Sequence, residues 1–452
     1  MAKPTDIRIL EVRTDFAEHA YRAPIKFGGR TLDRATVLGA IVRVRSRDGR
    51  EARGFGSMPL GATWSFPSAR LDYALTLGAM RELAGRIARR LADASGGEAL
   101  DPFEHGEALE RLALAGAGEV GRELALGEPV PKLCALVAAS PFDAAVHDAF
   151  GKLLGRSVWS CYGPEHLNRD LAGYLDAAFA GEHPGRYLSA EPKPRMPLYH
   201  LVGALDPLTP AEVARPVGDG LPEHLGEWIA RDGLTHLKIK LGGEDLGWDV
   251  GRVLAVDRVA AGAAPDREWR YSLDFNEKCA DAGYLLEFIE RVGESAPAAL
   301  ARVQYIEQPT ARDLAAHPEN RVHAAARIKP VVIDESLTGY DALLLAREMG
   351  YSGAALKACK GQSQAVLMAA AAARLGMFLC VQDLTCPGAS FLHSAALAAH
   401  VPGASGVEGN ARQYCPEANA GWRERFPGVF NVRDGTIETG AVTGPGLGCV
   451  PA

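Results

Sequence analysis

The second half of the chain repeats one short pattern, an apolar run that ends in an ionisable residue and is followed by a helical segment. The charged ends of these runs are Lys238 with Lys240, Asp274, Glu307, Asp334 and Lys357. Counted from Lys238, successive ends are 23 to 36 residues apart, about the length of one strand–helix unit. Because parallel strands joined by helices all end at the same edge, these charges should converge. The pattern predicts a (β/α)8 barrel with a charged mouth.

Residues 235–241 alternate apolar and basic side chains, which places Lys238 and Lys240 on one face of a strand. A half-exposed antiparallel strand with a solvated basic face would show the same alternation. The later strand ends favour the barrel, because there the two lysines would meet carboxylates. The later strand ends also favour a functional role for the two lysines over simple ion pairing with a carboxylate.

The composition excludes several classes of protein. The chain has 452 residues, 47% hydrophobic and 23% charged, so it can bury a large core. A net charge of −7 without a basic cluster argues against nucleic-acid and anionic-membrane partners. The first residues contain no apolar targeting segment, and eight scattered cysteines form no Cys-x-x-Cys pair. We therefore expect a cytoplasmic protein with reduced thiols.

The N-terminal part should be an antiparallel sheet followed by helices. Apolar runs at 7–12, 37–45 and 51–55 surround Asp48-Gly49, a strong hairpin signal. Segments 16–31 and 54–67 combine Gly, Pro and aromatic residues, which suits either surface connections or mobile lids over a ligand. Helical segments follow at 69–94, and Ser140-Pro-Phe-Asp143 indicates a helix start, with Gly155 at its end. Residues 96–128 and 163–195 receive no role.

Three carboxylates at successive strand ends, Asp274, Glu307 and Asp334, point to a metal ion. Packed together without a cation, they would repel one another strongly. An oxygen-only ligand set suits Mg²⁺, with Mn²⁺ as a second choice, and leaves positions for water and substrate. A single acidic residue at a strand end more often serves as the N-cap of the helix that follows. Three acidic residues in register at successive strand ends are less often explained in that way.

Lysines beside such a site suit proton abstraction from the carbon next to a carboxylate. The enediolate that results carries negative charge on oxygen, and an amine in a cationic environment can act as the base. Lys240 on one side and Lys357 on the other could address opposite faces of one carbon, with Lys238 tuning Lys240. Each lysine could instead form an ion pair with a strand-end carboxylate.

These segments resemble the motif series of the enolase superfamily, and within it most closely the muconate-lactonizing enzyme subgroup, which has lysines on the second and sixth strands. The motifs are Lys238-Ile-Lys240, Asp274-Phe-Asn276, Ile306-Glu307-Gln-Pro309, Ile333-Asp334-Glu-Ser336 and Leu356-Lys357-x-x-Lys360-Gly361. Ala145-Val-His-Asp148 and Gly444-Pro-Gly-Leu-Gly448 resemble the family's first barrel segment and its return to the cap.

The resemblance implies an α/β fold with a modified (β/α)7β TIM barrel and an N-terminal α+β capping domain. We assign residues 1–135 to the cap, 136–425 to the barrel and 426–452 to a C-terminal return. The resemblance also implies that the loops 16–31 and 54–67 are lids over the substrate. The substrate contacts would then be Asn276, Asp383, Glu408, Asn410, Trp64 and Phe66, while Lys360 should point away from the site and tolerate replacement.

Two departures narrow the function. No His follows the seventh strand, where racemases of the mandelate type and many dehydratases place a base, and Glu408-Gly-Asn410 replaces the Asp-x-Asp of dipeptide epimerases. We expect an Mg²⁺-dependent racemase, epimerase or cycloisomerase of a small carboxylic acid, in a homo-oligomer whose size the sequence does not give. Alternatives are a dehydratase using the same intermediate, a Schiff-base aldolase with Lys240 or Lys357 as nucleophile, and a non-catalytic binding barrel.

Overall fold

The computed structural model describes residues 2–27 and 30–448, and within them the chain forms two separate sheets. The first is antiparallel, in the order β1-β2-β3. Its strands are β1 (Ile7–Phe27), β2 (Arg30–Ser46) and β3 (Glu51–Pro59). The Asp48-Gly49 turn lies between β2 and β3, with Gly49 at a φ of 92°, so the predicted hairpin is confirmed.

The interpretation of residues 16–31 as a loop is wrong for the described residues. They continue β1 and β2 as a two-stranded ribbon that pairs as far as Phe27 with Arg30, whereas β3 ends at Pro59 opposite Val37. The ribbon therefore extends beyond the three-stranded sheet. Residues 28 and 29 of the predicted loop lie outside the described residues.

The segment 54–67 is also more ordered than expected. It finishes β3 and then forms the short helix α1 (Ala62–Ser65). Trp64 and Phe66 are each only 2% exposed, so they are not the exposed aromatics of a mobile loop. Both join the main hydrophobic core, which gains from burying large rings.

Three long helices complete the N-terminal part: α2 (Tyr73–Arg90), α3 (Pro102–Glu123) and α4 (Lys132–Leu154). The weakly periodic segment 96–128 is thus mostly helix α3, whose start is fixed by a capping box between Asp101 and Glu104. Helix α4 packs so closely on β3 that a Cβ on Gly56 would lie only 1.9 Å from the carbonyl oxygen of Pro141. Gly56 is required there.

Helix α4 begins at Lys132, eight residues before the predicted start at Ser140. Pro141 lies inside the helix and cannot donate a hydrogen bond to the carbonyl of Val137. The Ser140 hydroxyl donates to that carbonyl instead, at 2.9 Å, which replaces the missing donor. Gly155 at a φ of 68° ends the helix as predicted.

Among the described residues, α4 is the one helix long and apolar enough to cross a membrane, and its 18-residue apolar stretch is buried inside the protein. The predicted boundary between residues 135 and 136 lies within α4. The domain limits 1–135, 136–425 and 426–452 therefore stay a prediction.

The second sheet is a closed parallel barrel, which confirms the predicted fold class. Within the described residues its eight strands are β4 (Met196–Val202), β5 (His236–Lys240), β6 (Arg270–Asp274), β7 (Val303–Glu307), β8 (Val331–Ile333), β9 (Gly353–Leu356), β10 (Phe378–Val381) and β11 (Ala404–Glu408). Pairing of β11 with β4 closes the barrel.

Helices connect each barrel strand to the next. These helices are α5 (Leu225–Asp232), α6 (Leu246–Ala263), α7 (Ala282–Ser295), α8 (Pro297–Arg302), α9 (His323–Ala326), α10 (Tyr340–Glu348), α11 (Gln362–Arg374) and α12 (Ala389–His400). Helices α7 and α8 share the connection from β6 to β7, so seven crossovers join the eight described strands, as in (β/α)7β.

The C-terminal part returns to both sheets. It contains α13 (Ala411–Tyr414), α14 (Ala420–Arg425), α15 (Pro427–Phe430) and β12 (Thr436–Ile437), which pairs antiparallel with β4. The Leu447 amide donates to Asp148 of α4 at 2.9 Å, so the last described residues lie against that N-terminal helix.

The irregular segment 163–195 connects the N-terminal part to the barrel helices. Asn168 donates to Asp6 at 3.1 Å on the N-terminal side. On the barrel side, Asp176 accepts from Tyr340 of α10 and Glu182 pairs with Arg374 of α11 at 2.8 Å. These contacts give the segment a structural role that its composition does not show.

A buried polar network joins α4 to the start of α11 and so positions the turn that carries Lys357. Asp143 accepts from the backbone amide and hydroxyl of Ser363, at 2.7 and 2.8 Å. His147 Nε2 lies 2.8 Å from the same hydroxyl, and Nδ1 lies 2.8 Å from the Tyr162 hydroxyl. Burial lowers the pKa of His147 to about 3.

We expect His147 to make the protein sensitive to acid. Its folded pKa is below the unfolded value, so its contribution to stability is present above roughly pH 6.5 and is lost as the pH falls towards 3. Relative to the His147→Gln variant, the native protein should lose about 2 kcal/mol of unfolding free energy between pH 7 and pH 5. Urea unfolding of both proteins measures this. A difference that does not change with pH would contradict the assignment.

Candidate active site

The carboxyl ends of the barrel strands bring the predicted lysines and carboxylates together. Lys238 and Lys240 lie on β5, and Asp274 and Glu307 end β6 and β7. Asp334 and Lys357 each follow the last residue of their strand, β8 and β9. All six side chains are buried, with Lys240 the most exposed at 8%. The sequence pattern therefore located the groups that meet at the mouth.

Lys238 lies at the centre of this group. Its Nζ is 2.9 Å from Glu307, 3.0 Å from Asp274 and 3.0 Å from Glu408, and it donates to Gln382 at 2.5 Å. Burial alone would lower the pKa of Lys238, but these carboxylates raise it well above its usual value. Lys238 is therefore a fixed ammonium group in this arrangement.

Lys240 contacts Asp274, one of the acids that Lys238 also contacts. It donates to Asp274 Oδ2 and, at 2.8 Å, to the side-chain oxygen of Asn276. The two lysines of β5 thus share one carboxylate, and Asn276 borders the cavity beside them. This proximity is what the alternation of residues 235–241 predicted.

Lys357 and Lys360 both contact Asp334, which corrects the expectation that Lys360 points away. Lys357 Nζ is 2.9 Å from Asp334 Oδ2, while Lys360 donates to the Asp334 backbone carbonyl at 2.5 Å and is 3.3 Å from Oδ1. Residues Ala358–Lys360 form a 3₁₀ turn, and side chains three apart eclipse in such a turn. Burial lowers the pKa of Lys360, whereas the pKa of Lys357 is raised because Asp334 outweighs the effect of burial.

Trp64 covers this second pair of lysines from the N-terminal side. Its ring centroid is 4.3 Å from Lys357 Nζ, a cation–π contact. The indole Nε1 donates to Glu335 at 2.9 Å, and Arg312 donates to the Trp64 carbonyl at 3.0 Å. Sequence reasoning missed Glu335 and Arg312. Glu335 could have been found as the second acid of the Asp-Glu pair that follows β8.

Phe66, the other predicted aromatic contact, does not reach the lysines. It lines a separate surface cavity with Arg30, Pro67 and Lys278. The two aromatic residues are equally buried and only two positions apart, so they form a natural matched pair.

We expect Trp64→Ala to lower kcat/KM by about 10- to 30-fold, because Lys357 loses the ring that covers and orients it, a contact worth roughly 2 kcal/mol when desolvated, and to alter the preference among acids. Phe66→Ala should instead cost about 3–5 kcal/mol of unfolding free energy and leave that preference unchanged. Steady-state kinetics with several acids, at a temperature where both variants are folded, compares them. An equal loss for every acid in both variants would refute a role of Trp64 in acid preference at the mouth.

The three predicted contacts at the ends of the last two barrel strands lie at the mouth but are hydrogen-bonded within the protein. Asp383 accepts from the backbone amides of Leu384, Cys386 and Asn410, and burial with the nearby Glu408 raises its pKa to about 6. Glu408 accepts from Lys238 at 3.0 Å and from the Asn410 side chain at 2.7 Å. These residues border the cavity and also hold one another in place.

The three predicted metal ligands do not converge on one point in this arrangement. Among the described residues, no group of three His, Cys, Asp or Glu side chains is positioned to hold a metal ion, because lysine ammonium groups lie between the acids. Burial and Asp274 raise the pKa of Glu307 well above its usual range, and Glu307 Oε2 is buried without a hydrogen-bond partner. Both features indicate that negative charge is in excess.

A count of the charged groups at the mouth also gives an excess of negative charge. When all are ionised, the six acids Asp274, Glu307, Asp334, Glu335, Asp383 and Glu408 carry two more charges than the four lysines. A divalent cation would neutralise that excess, and carboxylate oxygens are the ligands that Mg²⁺ prefers. The donor set fits Mg²⁺, provided that the lysines shift from the acids they now contact.

The lysines open onto a cavity of about 50 Å³ that is bordered by Asn276, Asn410 and Trp64. Ligand pockets are typically about 300–1,000 Å³, so a substrate must widen this one. Arg22 of the β1–β2 ribbon pairs with Asp219 at 2.6 and 2.8 Å, which attaches the ribbon to the segment between β4 and α5.

Comparison with known proteins agrees with this architecture. Residues 220–452 match a family described as "Enolase C-terminal domain-like". No curated protein sequence matches the chain. Many solved structures share the fold at identities too low to show more than the fold.

Three of them cover nearly the whole chain. The L-Ala-D/L-Glu epimerase from Bacillus subtilis has a TM-score of 0.64 and 19% identity, covering 98% of this chain and 99% of its own. Muconate lactonizing enzyme from Pseudomonas fluorescens, solved with muconolactone, has 0.62 and 18%, covering 98% and 97%. Dipeptide epimerase from Enterococcus faecalis V583, solved with Mg and L-Leu-L-Tyr, has 0.61 and 16%, covering 98% and 99%. The family match spans half of the chain and includes the lysines and carboxylates of the barrel mouth, so the chain belongs to the enolase superfamily.

Proposed function

We propose that this protein abstracts the proton alpha to the carboxylate of a small carboxylic acid in an Mg²⁺-dependent reaction. It would act as a racemase, epimerase or cycloisomerase, most similar to the muconate-lactonizing subgroup. The observation that carries the proposal is the placement of lysines on two sides of three buried carboxylates, with Lys238 and Lys240 on β5 and Lys357 after β9. Without function, so many buried charges would be costly to keep.

The chain's residues divide the work by position. Asp274, Glu307 and Asp334 would hold Mg²⁺, which supplies positive charge to the substrate carboxylate when bound. Lys240 or Lys357, once unprotonated, takes the α-proton at Nζ, and the charge left on carbon spreads to the carboxylate oxygens. Lys238 keeps its proton and adds positive charge beside Lys240. Trp64 limits water at Lys357.

A dehydratase that uses a single base is the second candidate. The contact of Trp64 with Lys357 at 4.3 Å favours the charged form of that lysine. In that case Lys240 alone would take the proton, and Lys357 would serve as a fixed cation while a β-hydroxyl leaves.

Exchange of the α-proton in deuterium oxide tests the proposal without knowledge of the product. Mandelate, N-acetylphenylalanine and N-acetylglutamate are incubated with the protein and Mg²⁺, and the α-proton is followed by NMR. We expect exchange of at least one acid that stops with EDTA and returns with added Mg²⁺. Exchange that is insensitive to EDTA would contradict the proposal, and borohydride trapping of a 2-oxo acid such as pyruvate on the protein would support the Schiff-base alternative in its place.

A further inference from the structure

Part of the cavity wall is apolar. This part is formed by side chains of the ribbon, of the segment after β3 and of the barrel rim. These are Tyr21, Ile25, Leu32, Pro59, Leu201 and Leu384. Arg34 also borders the cavity, but its guanidinium pairs with Asp33 at 2.9 Å and its side chain is 58% exposed.

The acids nearest to this region are already used by the protein. Asp383 accepts three backbone amides, two of them at 2.7 Å and one at 2.8 Å. Glu408 is bonded to Lys238 and to the Asn410 side chain. A cationic group on the substrate would therefore find neither Asp383 nor Glu408 without a partner, and an anionic group would face both acids.

Two buried polar atoms on residues that border the cavity lack a partner. They are the side-chain oxygen of Asn410 and the hydroxyl oxygen of Thr63. The orientation of Asn410 is set by chemistry, because its amide nitrogen faces a carboxylate of Glu408 that can only accept. Its carbonyl oxygen is left to accept a hydrogen bond, and a buried acceptor without one is costly.

We infer that the substrate is a carboxylic acid with an apolar, uncharged distal group and one N–H or O–H donor for Asn410, and that it makes a further polar contact with Thr63. This inference rests on the proposed function for the role of the acid's carboxylate. The apolar wall would bury the distal group, and the donor would satisfy the Asn410 oxygen.

Calorimetric binding in the presence of Mg²⁺ tests the charge preference. The probes are N-acetylphenylalanine, N-acetyllysine and N-acetylglutamate, which share the carboxylate and the N–H donor. We expect N-acetylphenylalanine to bind at least about 10-fold more tightly than either charged acid. Equal or tighter binding of a charged acid, or no binding by any of the three, would overturn the inference.

A second comparison tests the hydrogen bonds. N-acetyl-N-methylphenylalanine lacks the donor and should bind about 5- to 10-fold more weakly than its parent, and Asn410→Leu should remove that difference. Thr63→Val removes a hydroxyl that has no hydrogen bond to any described residue, so the fold should be unaffected while N-acetylphenylalanine binds about 5-fold more weakly. Unchanged binding in Thr63→Val, with the N-methyl acid binding as well as its parent, would refute the polar contact.

Failure of the inference and failure of the proposed function are distinguishable. Selective binding without α-proton exchange in deuterium oxide would support the ligand class and refute the chemistry. Exchange that prefers a charged acid would support the chemistry and refute the ligand class.

Discussion

Replacement of Lys240 or Lys357 with alanine is expected to lower turnover by about 10²- to 10⁴-fold, the usual contribution of a positioned acid or base. The two lysines approach the mouth from different strands, and each contacts a different carboxylate, Asp274 or Asp334. If they address opposite faces of one carbon, each should serve the proton of one stereoisomer.

Deuterium exchange separates the two roles. In a two-base racemase, each single variant should retain α-proton exchange on the enantiomer served by the surviving lysine. Lys329→Ala is a suitable control, because Lys329 precedes β8 and so lies at the opposite end of the barrel. Loss of all exchange for both enantiomers in both variants would contradict the two-base assignment and favour the single-base dehydratase.

Replacement of Asp334 with alanine should abolish turnover and also destabilise the protein by about 3–5 kcal/mol. Two buried ammonium groups, Lys357 and Lys360, would lose the carboxylate that they share. The sequence alone suggests that the mouth carboxylates can be removed without harm to the fold. The shared ion pairs of Asp334 predict instead a loss of stability for the alanine variant.

Urea unfolding of the native protein, Asp334→Ala and Asp334→Asn measures this effect. Asparagine keeps an acceptor for one ammonium group and should cost less than alanine. Adding Lys360→Met to Asp334→Ala should recover part of the stability, because one of the two stranded charges is then gone. An unfolding free energy for Asp334→Ala within about 0.5 kcal/mol of the native value would contradict the coupling.

The barrel and its charged mouth were predictable because strand ends repeat at a regular spacing. Each of the predicted strands from Lys238 to Lys357 is present, and the ionisable residues meet as expected. The family match independently covers the same region. Periodic apolar runs with charges at fixed ends are the kind of signal that a sequence carries well.

Other features could not be read in this way. The ribbon of β1 and β2 contains Gly, Pro and charged residues that indicate a loop, and cross-strand pairing overrides that local signal. Helix α4 continues through Pro141 because the Ser140 hydroxyl replaces the missing donor, a tertiary detail that resembles a helix start in sequence. Lys360 was misplaced because a single 3₁₀ turn after β9 turns it onto Asp334.

The aromatic residues show the same limit. Trp64 and Phe66 are both aromatic, lie two positions apart and are equally buried. Even so, Trp64 covers Lys357 and Phe66 lines a different cavity. Glu335 lies beyond the end of β8, where the alternation of strand faces no longer applies, so its contact with Trp64 is a property of the folded loop.

The most direct test of Mg²⁺-dependent proton abstraction at this mouth is a crystal structure with Mg²⁺ and a small carboxylate such as mandelate. We predict one ion bound by Asp274, Glu307 and Asp334 at about 2.0–2.1 Å, with the carboxylate beside it and between Lys240 and Lys357. Lys238 should then have shifted away from Glu307, to which it now lies at 2.9 Å. An ion bound elsewhere, or none at all with Lys238 still in contact with Glu307, would contradict the proposed metal site.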